Sequence, residues 1–127
     1  MYMNEKENLK FPKVLKKIRE DRNFTARKVV ELTGYAPSYI CDLEKGNRKP
    51  TMQVIEILVD KLNLSQKEFN LLLIAYTHDR LEIPADLGRY LVENDLIDSL
   101  YALKELDKDG VSLKKLVEDL KNKKVKR

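Results

Sequence analysis

Residues 24–50 read FTARKVVELTGYAPSYICDLEKGNRKP, and two short helical patterns separated by one turn are legible in them. The first runs from about Ala26 to Thr33, with Val29, Val30 and Leu32 at apolar positions and Thr25 where an N-cap belongs. Gly34 stops it, because a glycine just past the last periodic residue can take the left-handed conformation that closes a helix. Three residues later Pro37 suits the first position of the next one. Helices joined this tightly must cross steeply. The second, Pro37 to Lys45, is expected to bury Ile40 and Leu43 and to leave Ser38, Tyr39 and Asp42 pointing away. That is the layout of a helix-turn-helix whose second helix enters a DNA groove.

Upstream, Phe11, Val14, Leu15 and Ile18 recur at helical spacing in a helix of about Leu9 to Arg22, which braces the pair. Downstream, Pro50 and Thr51 open a fourth helix, about Met52 to Leu62. Met52, Ile55, Leu58, Val59 and Leu62 form its core face, and Val54 and Ile57 fall off that face, to be buried either in the core or in a dimer surface. Ser65-Gln66-Lys67-Glu68 is a capping box that starts a fifth helix, reaching about Tyr76 and apolar nearly all round. Such a helix needs cover on more than one side, which residues 81–120 are expected to give. There Leu87, Tyr90 and Leu91, then Leu96, Ile97, Leu100, Leu103 and Leu106, then Leu113, Leu116, Val117 and Leu120 repeat the helical pattern. The chain is thus expected to divide into a frayed start at 1–8, a helix-turn-helix domain at 9–76, a helical extension at 77–120, expected to dimerise, and a basic tail at 121–127.

Composition agrees with an all-α chain: only four glycines and four prolines interrupt 127 residues that are 43% hydrophobic and rich in helix formers. No apolar run reaches the roughly 18 residues of a membrane span, and MYMNEKENLK lacks the apolar centre of a signal peptide, so a cytosolic protein with no membrane partner is expected. Charge is segregated. Residues 1–76 carry 14 bases and 10 acids, residues 77–120 carry 6 and 11, and residues 121–127 carry five bases and no acid. The first segment is therefore the nucleic-acid binder, since phosphate repels an acidic surface.

Leu15-Lys16-Lys17-Ile18-Arg19, Phe24-Thr25, Leu32-Thr33-Gly34, Ser38-Tyr39-Ile40, Leu43-Glu44-Lys45-Gly46, Lys49-Pro50-Thr51 and Leu62-Asn63-Leu64-Ser65 follow one another in an order that resembles the Cro and phage-repressor (XRE) family of helix-turn-helix regulators. The resemblance covers roughly the first 76 residues. It implies a five-helix, lambda-repressor-like DNA-binding domain, here with a C-terminal helical extension. It further implies an ion pair between Arg19 and Glu44 that fastens the first helix to the end of the reading helix. Phosphate contacts are implied for Arg27, Lys28, Tyr39, Lys45, Asn47, Arg48 and Lys49, and base reading for Pro37, Ser38 and Asp42. Two departures stand out. Ala36 replaces the serine or threonine that usually caps the reading helix, and the base-reading positions lack the Gln, Asn or Arg that bind purines at two points.

The expected function is sequence-specific DNA binding by a homodimer that regulates, most simply represses, transcription on double-stranded DNA. The alternative is an antitoxin or adaptor that binds a protein partner through 77–120. Catalysis is not expected, for no nucleophile with a base, phosphate-binding glycine loop or metal cluster accompanies the carboxylates. No cofactor or metal is implied. Cys41 alone can form no internal disulfide and reads as a small, partly buried thiol, and His78 as a surface residue. Glu105-x-Asp107-x-Asp109-Gly110 imitates the front of a calcium loop but has Leu116 where the twelfth-position glutamate belongs, so it reads as a turn.

Overall fold

Phe11, Val14, Leu15 and Ile18 lie on one side of helix α1 (Phe11–Asp21), and all four are buried. The computed structural model describes residues 10–108, 110 and 112–125. The expected frayed start at 1–8, Leu9 in the first helix, Asp109 in the turn and the last two residues of the basic tail lie outside the described residues. The chain is all-helical there. After α1 come α2 (Ala26–Thr33), α3 (Pro37–Lys45), α4 (Met52–Lys61), α5 (Gln66–Arg80), α6 (Ala85–Glu93), α7 (Ile97–Lys108) and α8 (Leu113–Val125).

Short side chains set the helix starts. The Thr25 hydroxyl accepts from the Lys28 amide at 3.0 Å, and the Thr51 hydroxyl from the Val54 amide at 3.2 Å. At α5 the capping box is complete: Ser65 Oγ accepts from the Glu68 amide at 3.2 Å, and Glu68 Oε1 from the Ser65 amide at 2.8 Å. Gly34 closes α2 and Gly46 closes α3, both left-handed, at φ 79° and 83°.

Two compact units divide the chain between Pro84 and Ala85. In the first, α1 packs on α3 and α5, α2 on α3 and α4, and α4 on α5. Leu15, Ile40, Leu43, Ile55, Leu58 and Leu72 are fully buried at its centre. Each contributes about 1.5–3 kcal/mol of transfer free energy. Val54, which the sequence leaves open as core or dimer surface, is core. It is 6% exposed, because α4 packs on two neighbours and needs a wider apolar face than one stripe. Helix α5 also runs a turn beyond Tyr76, to Arg80. It buries Leu72, Ala75 and Tyr76, packs Phe69 and Leu73 on the core, and leaves Leu71 and Ile74 exposed.

The second unit, described by itself, is differently built. Among the described residues no two of α6, α7 and α8 pack extensively along one another and none is buried; Gly88, Leu91, Leu96 and Leu103 are half-buried.

Candidate nucleic-acid interface

Ile40 and Leu43 turn α3 toward the core, and helical geometry then sends Ser38, Cys41, Asp42 and Lys45 outward. Pro37, Ser38, Cys41 and Lys45 are exposed and Asp42 is half-buried. Cys41 thus differs from the partly buried thiol expected: its position, three residues after Ser38 and four after Pro37, puts it in the middle of the outer face. The spacing alone could have shown this. Ala36 caps α3 with no side-chain hydrogen bond; its extended backbone (φ −63°, ψ 146°) and Pro37 start the helix.

An open cleft between α1, α2 and α3 brings several of these residues together. Lys16, Ala26, Arg27, Pro37, Cys41 and Lys45 all line it, so the start of α2 and the outer face of α3 share one surface. Arg27 and Lys28 are exposed, and Arg27 Nε lies 3.8 Å from Glu31 Oε1 one turn on. So weak and solvated a pair leaves the guanidinium available to an anion.

The basic loop is fixed at both ends. The amides of Gly46 and Asn47 both donate to the Asp42 carbonyl, the latter at 2.9 Å. At the far end Arg80 of α5 donates from Nε and Nη2 to the Pro50 carbonyl, at 3.1 and 2.6 Å, while its guanidinium covers the Tyr76 ring at 5.3 Å. Between these anchors Lys45, Asn47, Arg48 and Lys49 are all exposed. The Arg48 guanidinium lies 5.0 Å over the Tyr39 ring, and the Tyr35 ring packs against Tyr39 at a tilt of 40° with centroids 4.9 Å apart. Tyr39 therefore does not point freely away as the sequence reading has it; it is half-buried, held by Tyr35 and the core edge. Burial raises the Tyr35 phenol above its ordinary pKa, with the neighbouring Tyr39 adding to it.

Beneath this surface Arg19 meets Glu44 at two points, Nε to Oε2 at 2.7 Å and Nη2 to Oε1 at 3.0 Å, and donates from Nη1 to the Phe24 carbonyl at 2.9 Å. The hydrogen bonds it donates to Glu44 hold the Arg19 guanidinium above its usual pKa against the opposing effect of burial. A second fork was not legible in the sequence. Arg22 donates to both oxygens of Glu68, Nε at 2.8 Å to Oε2, and also reaches the Leu62 carbonyl. The Arg22 hydrogen bond, with help from Ser65, lowers the Glu68 carboxyl to about 2. Among the described residues no group of acids, histidines and cysteines could hold a metal ion, and no helix is long and apolar enough to cross a membrane.

Closely joined and packed α2 and α3, an outward face on α3 and an anchored basic loop define a helix-turn-helix domain, the kind of unit that binds DNA. Residues 13–72 match a family model described as a helix-turn-helix domain. Comparison with curated proteins and with solved structures gave no significant match.

Proposed function

We propose that this chain is a sequence-specific DNA-binding regulator of transcription, of the Cro and phage-repressor type, that represses as a homodimer and carries no catalytic activity. The observation that supports it best is the shared surface on which Arg27, Pro37, Cys41 and Lys45 line one cleft beside the outer face of α3. On this reading Arg27, Lys28, Lys45, Asn47, Arg48 and Lys49, with Tyr39, hold phosphates, and Pro37, Ser38 and Asp42 face base edges in the major groove. Residues 9–76 bind DNA, 77–120 join two copies, and the basic segment 121–127 adds a loose electrostatic contact. Two copies would sit on half-sites about one helical turn, ~34 Å, apart.

Selection of bound sequences from random DNA, followed by affinity against salt for the best site, tests it. Log affinity is expected to fall linearly with log salt as counterions are released. Arg48→Ala weakens all sequences alike and flattens that slope, whereas Ser38→Ala or Asp42→Ala changes which sequence wins. Equal affinity for every sequence overturns the reading. An antitoxin or adaptor that binds a different protein through 77–120 is the second reading, favoured by the exposed apolar residues there; a stable complex with the product of an adjacent gene would support it.

A further inference from the structure

The second unit has apolar helix faces that, among the described residues, it leaves largely exposed. In α8, Leu116, Val117 and Leu120 fall on one stripe yet are 42%, 43% and 65% exposed; in α6 and α7, Leu87, Tyr90 and Leu100 are 47%, 55% and 41% exposed. Three short helices without extensive packing along one another bury no residue fully among those described, and apolar stripes left exposed on each are the mark of helices built to be covered.

Charge selects what covers them. Residues 85–108, which span α6 and α7, hold six acids and three bases, net −3; residues 113–125, which form α8, hold five bases and two acids, net +3. The charges are placed to act. Helical spacing puts Lys121 and Lys123 on the two borders of the α8 stripe and Glu118 on the far side, and puts Arg89, the one base of α6, opposite the stripe formed by Leu87, Tyr90 and Leu91. A surface that carries both a positive apolar helix and a negative apolar pair is complementary to a second copy of itself.

We propose that two copies of this chain join by exchange: α8 of each lays its basic-edged apolar stripe on the acidic α6–α7 pair of the other, giving two equal contacts about a twofold axis. The proposal rests on the homodimer reading above and specifies how that dimer is held.

Two full-length variants test it by sedimentation at low ionic strength. Glu93→Lys with Asp107→Lys turns the α6–α7 pair from −3 to +1, and Lys121→Glu with Lys123→Glu turns α8 from +3 to −1. Each variant alone then opposes like charges at both contacts, and its self-association is expected to weaken about tenfold. An equimolar mixture restores association, because in the mixed dimer both contacts again pair opposite charges, +1 with −1 and −3 with +3. Exchange is overturned if the wild type dimerises and the variants do so equally well, or if each variant is weakened and mixing restores nothing, as it would be were α8 to fold back on its own α6–α7. A wild-type chain that stays monomeric at high micromolar concentration sinks the homodimer reading itself.

Discussion

Arg19 spends its guanidinium on two oxygens of Glu44 and on the Phe24 carbonyl, so one side chain ties α1 to the end of α3 and to the connection before α2. The side chains are 14% and 12% exposed, enough burial for an orphaned partner to be costly. Arg19→Ala should lower the unfolding free energy by about 2–3 kcal/mol, and Arg19→Lys by most of that, since an ammonium keeps the charge but not the fork; urea denaturation measures both. If lysine restored wild-type stability, charge alone would be acting and the two-point geometry would be idle. Glu68 gives a pH dependence. Its folded pKa of about 2 lies below the ordinary 4.5, so its contribution is complete above pH 4.5 and is lost as pH falls through the folded value. That contribution is on the order of 3 kcal/mol. The unfolding free energy should therefore drop between pH 4.5 and 2, and Glu68→Gln, less stable at neutral pH, should show a shallower drop. These residues also show where sequence reading stops. The Arg19–Glu44 pair was named through a family resemblance, whereas Arg22 and Glu68, 46 positions apart, carry no local sign of each other because a contact across the fold leaves no periodicity in the chain.

Helices α2 to α5 were legible because their ends are written in adjacent residues: Thr25 and Gly34, Gly46, Thr51, and Ser65 with Glu68 all act on backbone within four positions. What escaped depends on neighbours that are remote in sequence. The choice between core and dimer surface for Val54 is made by the two helices flanking α4, the last turn of α5 ends where Arg80 reaches Pro50, and Tyr39 is held by Tyr35. Helix α3 offers the sharpest element-scale test, since it begins without a side-chain cap. Ala36 already has the extended backbone of an N-cap and is exposed, so a hydroxyl there meets no obstacle from burial. Ala36→Ser should stabilise the protein by about 1 kcal/mol, and Thr25→Ala, which removes the cap of α2, should destabilise it by about as much. Thermal melts of the two variants and of their combination should show shifts of opposite sign that nearly cancel. An Ala36→Ser melt at or below wild type would mean that the serine finds no amide to accept from.

On the scale of the whole chain, the two units differ in how their stability should respond to concentration. The first has its own core, from Phe11 to Tyr76, and its resistance to proteolysis should be independent of how many copies are present. The second exposes Leu100, Leu116, Val117 and Leu120, and its lysines at 104, 114, 115 and 121 are exposed and open to trypsin. If the covering surface is another copy of the chain, opening of α6–α8 competes with association, and mass action sets the population that the protease sees. At a hundred times the dissociation constant this amounts to about 2.7 kcal/mol, or cleavage per molecule slowed about a hundredfold. Trypsin digestion across a dilution series, followed by intact mass, should therefore show cuts in 104–123 that fade as concentration rises, with the first unit surviving throughout. Cleavage there at a rate per molecule that ignores concentration would mean that a second copy does not cover these helices. Such a result would leave the helix-turn-helix unit untouched and would direct attention to a partner of different sequence.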